Sequence, residues 1–395
     1  MKNSEDVDIY LFSPFCLLRP TTNRIFDMRL CDAFAGEHVD VTIIYPFTYM
    51  KENILKSEIP KSYGVRNVVK TRILLTPLRE HSSRLWFMLV LVTGFSFSAF
   101  RIFVSKIFSR KETVIFSRDA KLLLSALLLK NIFGKLLKVK VIYICSEVKN
   151  SMLFRFVIRN ADGIMAGVTA TKNAIQEIVP VPPEKFILAL APIPAYDNDC
   201  PKEEARRIIK YDNPKPLVVY TGKISPGLNE LIYILAAAAD LPEYQFLATG
   251  GKQSNVEHYR RYCEERNIGN VAFTGFFNDS TYVRYYQLAA DVLVSYYNDK
   301  DHFVEYNYPQ KLNEYLSTRN PIVTPDFPAT QDIINETNVY FVDPDNPKAL
   351  AAGIKKLIED KELARKISDQ AFLDSKKITF KGKVQEILRF TGSLK

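Results

Sequence analysis

The chain has 395 residues, of which 47 % are hydrophobic and 25 % are charged. This length exceeds what one ordinary hydrophobic core supports, so two domains of about 200 residues each are expected. The composition is that of a globular protein and excludes an intrinsically disordered chain.

The net charge of +9 is confined to the first half of the chain. Residues 1–200 hold 27 Lys and Arg against 18 Asp and Glu, whereas residues 201–395 hold 26 of each. The first half is therefore expected to meet an anionic partner, for which nucleic acid and anionic lipid are the candidates. Because the sequence has no helix-turn-helix, zinc-finger or RNA-binding aromatic motif, nucleic acid is not expected.

The cysteines and the N-terminus bear on the compartment. Five cysteines are scattered without the spacing of metal ligands, and the four histidines do not pair with them. A reduced compartment without structural zinc is therefore expected. The N-terminus is acidic and leads directly into a predicted strand, so we expect no signal peptide and a cytoplasmic location.

The first half alternates between predicted strands and helices. Strand patterns at 8–13 and 39–45 flank an amphipathic helix at 24–36, which is typical of a Rossmann-like opening. The loop at 14–23 contains no glycine. The G-x-G-x-x-G dinucleotide fingerprint is therefore missing, and an NAD enzyme is not expected.

Residues 85–100 form a stretch without a charged side chain, bracketed by Arg84 and Arg101. As a helix it would be about 24 Å long, shorter than the roughly 30 Å hydrocarbon core of a bilayer. The stretch is therefore predicted not to span a membrane. Two alternatives remain open: a buried core helix, or a helix lying in a membrane surface with basic flanks that contact anionic lipid.

Polar residues follow two further predicted strands, 113–117 and 139–145, which a helical run at 120–133 separates. Arg118 follows the first of these strands, and Glu147 follows the second. Open α/β sheets bind their ligands at the carboxyl ends of their strands. Both residues are therefore candidate site residues, and the alternative for Glu147 is an exposed loop carboxylate without a role in the site.

The second half begins after a charged, proline-punctuated segment, 201–215, which is predicted to be an interdomain linker. Six strand patterns then alternate with helices, which is typical of a doubly wound parallel sheet. Gly222 and Lys223 directly follow the first of these strands. Glycine there permits close approach of the backbone to a ligand, and lysine supplies positive charge.

The most informative stretch is residues 303–326, with the sequence F-V-E-Y-N-Y-P-Q-K-L-N-E-Y-L-S-T-R-N-P-I-V-T-P-D. A polar, aromatic loop leads into a one-sided helix that carries Lys311 and Glu314, and a short β-branched strand follows. A helix N-terminus between parallel strands is a place where phosphates and sugars bind, because the first-turn N–H groups lack helical partners and the helix dipole favours anions.

This stretch resembles the signature of retaining glycosyltransferases of the GT-B fold, family four, also called glycosyl transferases group 1. The likeness is to the branch with a Pro-x-Lys-Leu-x-Glu-Tyr-Leu segment before a Pro-Ile/Val-Val strand, and it is strongest over 215–378. It implies an α/β protein with two Rossmann-like, doubly wound parallel-sheet domains facing a cleft. Residues 1–200 would bind the acceptor, residues 216–376 would bind the nucleotide sugar, and a helix at 377–395 would return to the first domain.

The resemblance also implies transfer of a sugar from a nucleotide diphosphate sugar to an acceptor hydroxyl, with retention and without a metal or other cofactor. Cations and N–H groups must then neutralise the departing diphosphate. Lys223, Glu314 and Glu147 would be the catalytic residues, Glu314 by accepting hydrogen bonds from the ribose and Glu147 by meeting the acceptor. The substrate-binding residues would be Gly222, Lys311, Tyr308, Gln310, Glu305, Gly250, Gly275, Phe276 and Arg118.

The sequence departs from the family pattern in three places. The first Glu of the family's pair should stand eight residues before Glu314, where Tyr306 lies, and Glu305 is one residue off. The second basic residue after Lys223 is missing, which leaves Lys311 or an arginine from elsewhere to complete the diphosphate clamp. The glycine-free first loop, F-C-L-L-R-P-T-T-N, indicates a hydrophobic or lipid-carrying acceptor.

The predicted function is therefore retaining glycosyl transfer to a lipid-linked glycan intermediate of surface polysaccharide synthesis. Peripheral contact through the basic first domain would place the protein at the inner face of the cytoplasmic membrane. The three departures leave open a non-catalytic GT-B scaffold or binding subunit of a membrane glycan assembly. A GT-B epimerase or phosphorylase is disfavoured, because the histidine-rich sites typical of those enzymes are missing.

Overall fold

The computed structural model divides the chain into two compact units. The first unit comprises Met1–Leu190 and Phe380–Lys395, and the second comprises Ala191–Thr379. The residues that the structure describes are 6–17, 22–49, 59–79, 84–109, 111–188, 192–193, 196, 199–226, 230–277, 279, 282–297 and 308–394.

The first unit is built on a seven-stranded parallel sheet. Its strands are β1 (Val7–Phe12), β2 (Asp40–Tyr49), β3 (Lys70–Arg79), β4 (Glu112–Ser117), β5 (Val139–Cys145), β6 (Gly163–Ala166) and β7 (Phe186–Leu188). Their order across the sheet is β3-β2-β1-β4-β5-β6-β7. The winding direction therefore reverses between β1 and β4. All six residues of β4 are buried, as expected for a central strand covered on both faces.

The helices between these strands cover the sheet. They are α1 (Thr22–Gly36), α2 (Ile59–Tyr63), α3 (Arg84–Lys106), α4 (Ala120–Leu137), α5 (Met152–Asn160) and α6 (Thr169–Ile178). One core cluster joins Leu91 of α3, Leu123 of α4 and Val157 of α5 to the strands. The Asp119 carboxylate caps α4 by accepting a hydrogen bond from the Lys121 backbone N–H at 2.8 Å.

The second unit contains a six-stranded parallel sheet. Its strands are β8 (Leu217–Thr221), β9 (Gln245–Thr249), β10 (Val271–Gly275), β11 (Val292–Val294), β12 (Ile322–Pro325) and β13 (Tyr340–Val342). Their order is β10-β9-β8-β11-β12-β13, so the winding direction reverses between β8 and β11.

The helices of the second unit pack into two core clusters. These helices are α7 (Lys202–Ile208), α8 (Glu230–Ala239), α9 (Gln253–Glu265), α10 (Val283–Ala289), α11 (Gln310–Leu316), α12 (Pro347–Glu359) and α13 (Lys361–Ser375). Both sheets are doubly wound and parallel, so the predicted fold class is confirmed. Residues 201–215, for which the sequence predicts a linker, contain α7 and belong to the second unit, where Lys202 pairs with Asp291 at 3.2 Å.

The apolar stretch predicted at 85–100 lies within α3, which has 23 residues and is therefore about 35 Å long. The prediction of a helix too short to cross a bilayer is wrong on length. Within the described residues, Met88–Lys106 is the one helix long and apolar enough to cross a membrane, and a third of it is buried. Leu91, Phe95 and Ile102 pack into the core of the unit. One side of α3 is therefore buried, as the core-helix alternative predicts.

The last helix, α14 (Phe380–Ser393), belongs to the first unit. Val384 and Ile387 are fully buried, and the Lys140 ammonium donates a hydrogen bond to the Thr391 carbonyl at 2.7 Å. A Cβ atom on Gly163 of β6 would lie 2.6 Å from the Phe390 ring. The glycine therefore permits the close approach of α14 to the sheet.

Replacement of the buried Ile387 tests the contribution of α14 to the first unit. Ile387→Ala should lower the free energy of unfolding of that unit by ~2–5 kcal/mol, because it leaves a cavity in the core. The same change at Ile132, which is 70 % exposed, is the matched control and should have little effect. Urea unfolding followed by circular dichroism measures both, and equal midpoints for the two variants would contradict the packing of α14.

Candidate functional site

The candidate site lies at the carboxyl edge of the second sheet, at the reversal between β8 and β11. Ligands of open α/β sheets bind at such a reversal, because the connections leave the two strands in opposite directions and open a crevice. Gly222 and Lys223 follow β8, and Tyr297 follows β11. Helix α11, which carries Lys311 and Glu314, is the next described helix after β11.

Glycines at the carboxyl ends of β8, β9 and β10 leave the backbone uncovered by side chains, and we refer to this edge as the wall. The Gly222 N–H donates to the Thr249 carbonyl at 2.9 Å, and the Gly250 N–H donates to the Gly275 carbonyl at 3.0 Å. Gly250 has φ 125°, and a Cβ atom there would lie 1.9 Å from the Gly222 carbonyl oxygen. Only glycine fits at Gly250, and Gly275 has a positive φ of 78°. The exposed Phe276 ring lies at the end of this wall.

The ammonium of Lys311 is held beside that wall. Its Nζ lies 3.4 Å from a carboxylate oxygen of Glu230 and over the rings of Tyr220 and Tyr297, at 4.2 Å and 4.8 Å from their centroids. Burial lowers the pKa of Lys311, and Glu230 opposes that shift. A Cβ atom on Gly222 would lie 3.1 Å from Nζ. A fixed cation therefore stands directly against the bare backbone after β8.

The other predicted site residues near Lys311 differ in burial. The Lys223 side chain is exposed, and Gln310 and Tyr308 at the start of α11 are half-buried. The Tyr308 hydroxyl is buried without a hydrogen-bond partner in the described part of the chain, and this burial raises its pKa well above the usual value. Glu305 lies outside the described residues.

Glu314 is oriented by a buried amide. One of its carboxylate oxygens accepts a hydrogen bond at 2.9 Å from Nε2 of Gln287, which is 1 % exposed on α10. The adjacent Tyr315 hydroxyl accepts from the Thr221 N–H at 2.8 Å. Glu314 and Tyr315 therefore attach α11 to its neighbours at two points. Glu314 joins α11 to α10, and Tyr315 joins it to the end of β8.

Arg284, also on α10, secures the other end of α11. Its guanidinium donates to the backbone carbonyls of Glu314 and Ser317, both at 3.0 Å. The same guanidinium pairs with Asp199 at 2.7 Å and is fully buried. Because α11 has only seven residues, these tertiary contacts rather than helix propensity hold it in place.

The two site residues predicted in the first unit are both engaged in ion pairs. Arg118 donates to one Asp27 carboxylate oxygen from Nε at 3.0 Å and from a terminal nitrogen at 2.7 Å. Burial raises the pKa of Asp27, although Arg118 opposes the shift. Glu147 is exposed and pairs with Lys149 at 2.8 Å. The proposed substrate contacts of Arg118 and Glu147 remain predictions.

Four residues that position the site were not identified from the sequence: Glu230, Tyr220, Gln287 and Arg284. Glu230 is the sole acid of α8, whose remaining nine residues are apolar. A lone carboxylate at the start of an apolar helix was therefore an available signal. Gln287 and Arg284 lie three residues apart on one face of α10, but no feature of the sequence connects them to Glu314 on a later helix.

Comparison with known proteins identifies the class. Residues 201–374 match the family model of glycosyl transferases group 1. No curated protein matches the sequence significantly. A sucrose-phosphate synthase from Thermosynechococcus elongatus is similar in structure, with a TM-score of 0.75 and 16 % identity over 98 % of this chain and 99 % of that one.

Two further solved structures are similar over the whole chain. HepE from Anabaena in complex with UDP-glucose has a TM-score of 0.71 and 15 % identity, covering 98 % of this chain and 100 % of that one. A mutant of TarM from S. aureus, in complex with fondaparinux, α-GlcNAc-glycerol and UDP, has a TM-score of 0.70 and 9 % identity, with the same coverages. These likenesses show the fold, which is that of GT-B glycosyltransferases. The predicted resemblance is confirmed by this fold and by the match of residues 201–374 to the model of glycosyl transferases group 1.

Removal of the Gln287 amide tests its role in orienting Glu314. Gln287→Leu should weaken the binding of a nucleoside diphosphate about 10- to 100-fold, because a hydrogen bond to a charged group contributes about 1.5–3 kcal/mol. Calorimetric titration measures the affinity. Gln370→Leu is the matched control, since Gln370 donates to Asp374 at 3.1 Å on α13, remote from the site. Equal affinities in the two variants would show that Gln287 does not act on the site.

Separation of the buried pair in the first unit tests whether Arg118 is structural. Arg118→Met should lower the free energy of unfolding by ~3–5 kcal/mol, because it leaves the Asp27 carboxylate buried without its partner. The double variant Asp27→Leu with Arg118→Met should recover most of that loss. Glu147→Gln, which removes an exposed pair, should change stability by less than ~1 kcal/mol. Unchanged stability of Arg118→Met together with lost activity would instead indicate a substrate contact.

Proposed function

We propose that the protein is a retaining glycosyltransferase that moves a sugar from a nucleotide diphosphate sugar to an acceptor hydroxyl, without a metal. One arrangement carries this proposal. The buried Lys311 ammonium stands against the bare backbone of Gly222, one helical turn from the Glu314 carboxylate that Gln287 orients. All of these residues lie in the segment that matches the glycosyl transferases group 1.

The charges of this arrangement suit the leaving group. During transfer the bond between the anomeric carbon and the diphosphate oxygen breaks, and negative charge grows on the diphosphate. The acceptor oxygen bonds to the anomeric carbon on the same face of the sugar, and its proton passes to the departing diphosphate oxygen. Lys311, with Lys223 at the exposed end of the wall, would neutralise the diphosphate, and the burial of Lys311 would strengthen its electrostatic interaction with that group.

The remaining residues would bind the nucleoside and the sugar. The Glu314 carboxylate would accept hydrogen bonds from the ribose hydroxyls, since ionised carboxylates accept strong, charge-assisted bonds. The backbone at Gly250 and Gly275, with Phe276 beside it, would line the base and ribose. Tyr308 and Gln310 would contact the donor sugar and phosphate. UDP-glucose in the structure of HepE and UDP in that of TarM support a nucleotide diphosphate sugar as the donor.

The acceptor is proposed to be a lipid-linked glycan intermediate of surface polysaccharide synthesis, used at the cytoplasmic face of the membrane. The excess of basic residues in the first half of the chain supports an anionic partner there. Glu147, which is exposed at the carboxyl end of β5, would meet the acceptor hydroxyl. Peripheral membrane contact through the first unit belongs to the same proposal.

A non-catalytic binding subunit with this fold is the second candidate. Lys223 is the one basic residue in its loop, and the position of the family's first Glu holds Tyr306. A subunit of this kind would bind a nucleoside diphosphate but would not turn over its sugar derivatives. Binding and turnover therefore have to be measured on the same preparation.

A thermal-shift titration of the purified protein with UDP, GDP, dTDP, CMP and NAD tests the proposal. A ligand at 100 times its dissociation constant should add ~2.7 kcal/mol to the free energy of unfolding. One nucleoside diphosphate should raise the melting temperature selectively, and its sugar derivatives are then assayed for transfer. The absence of a shift with all of them would refute a nucleotide-sugar enzyme, and a shift without transfer would favour the binding subunit.

Replacement of Lys223 and Lys311 tests whether these two residues take part in donor binding and transfer. Lys223→Ala should lower kcat/KM about 10- to 100-fold, which corresponds to ~1.5–3 kcal/mol of transition-state stabilisation. Lys311→Met, which retains the length and removes the charge, should also weaken nucleotide binding. Lys355→Ala on α12 is the matched control, because Lys355 is exposed with only a loose contact to Glu359 at 3.8 Å. A Lys223→Ala enzyme with the full rate would remove that residue from the mechanism.

A further inference from the structure

The outer surface of α3 and α4 is unusually apolar. Of thirteen large hydrophobic side chains that are more than a third exposed in the described residues, nine lie on these two helices or in the turn after α3. We refer to them as the α3–α4 face. Its members are Leu89, Phe97, Phe100, Val104, Ile107, Phe108, Leu128, Ile132 and Phe133.

Helix α3 is apolar on both of its sides. Leu91, Phe95 and Ile102 pack into the core of the unit. Leu89, Phe97, Phe100 and Val104, spaced by multiples of three or four residues, form a second stripe that is exposed. A helix on the surface of a globular unit needs one apolar stripe for the core and normally presents polar residues to water. The second stripe therefore requires a partner outside the unit.

The charges around this face identify the kind of partner. Helices α3 and α4 contain no Asp or Glu and six Lys and Arg residues, of which Lys106 and Lys130 pair with acids of the same unit. Arg101 is exposed beside the face, with its guanidinium 5.9 Å from the centroid of the Phe97 ring. Lys121 is exposed at the start of α4. Apolar side chains among cations, without acids, match the boundary between the acyl chains and the anionic headgroups of a bilayer.

Two observations decide against other occupants. A second copy of this chain would bring two sets of cations from the same helices together, and like charges at such a contact repel. A membrane-spanning position of α3 would take its inner stripe out of the core. It would also separate the Lys106 ammonium from Asp8 of β1, with which it pairs at 2.6 Å.

We infer that the α3–α4 face docks the first unit onto the surface of an anionic lipid bilayer, with its apolar side chains inserted below the headgroups. The helices remain packed on the sheet, and binding is peripheral and reversible. This inference rests on the proposed function only for its purpose, since a lipid-linked acceptor would be presented at that surface. Lipid binding and nucleotide binding are separate measurements, so each can fail alone.

The test is flotation of the full-length protein with vesicles of phosphatidylcholine alone or with added phosphatidylglycerol. The protein should float with the anionic vesicles and about tenfold less with the neutral ones, and added salt should weaken its binding. Phe97→Asp with Phe100→Asp should lower the bound fraction at least about tenfold. Leu373→Asp on α13 is the matched control, because Leu373 is 54 % exposed, as Phe100 is. It should float like the wild type.

The melting temperature and the nucleotide-induced shift, measured on the same samples, show whether each variant is folded. A second variant, Arg101→Glu with Lys121→Glu, should lose the preference for anionic vesicles, since it reverses two charges at the face. Wild-type protein that stays with neither vesicle would overturn the inference, and so would a Phe97/Phe100 variant that floats normally. A wild-type dimer that the variant converts to a monomer, without vesicle binding, would show that the face is a protein interface.

Discussion

The arrangement of the second unit depends on the attachment of a seven-residue helix to its neighbours. Helix α11 is too short to be stable by itself, yet it carries both a cation and a carboxylate of the candidate site. Arg284 and Gln287 on α10 hold its carboxyl end and the Glu314 side chain, while Tyr315 accepts a hydrogen bond from the last residue of β8. Because these partners are buried, the positions of Lys311 and Glu314 follow from the packing of the core.

The fold was largely predictable, and the strands that escaped prediction are instructive. All six strands of the second sheet follow from short apolar runs bounded by turns, including the partly buried edge strands β10 and β13. In the first sheet, β3 and β7 were missed, and both lie at the edges of the strand order. The sequence of β3, K-T-R-I-L-L-T-P-L-R, includes a proline, which an edge strand tolerates. β7 has only three residues. These two strands were missed because a proline interrupts the pattern of β3 and because β7 is too short to show one.

The candidate site was predictable only in part, because its components obey different rules. Gly222 and Lys223 follow from the rule that ligands bind at the carboxyl ends of parallel strands, and Glu314 follows from the resemblance. The partners of these residues depend on contacts between distant parts of the chain. Glu230 meets Lys311 across 81 residues of sequence, and Gln287 meets Glu314 across 27. A single sequence contains no record of such pairs, so they become visible only in three dimensions.

The place of α14 in the first unit has a consequence for folding during synthesis. The ribosome delivers the strands and most of the helices of that unit first, but the helix that covers Gly163 and bonds to Lys140 emerges only after the whole second unit. Part of the core of the first unit therefore remains uncovered until the second unit has been synthesised in full. A nascent chain that stalls or is cleaved before Phe380 would expose this surface to chaperones and proteases, so the first unit is completed only in chains that already contain the whole second unit.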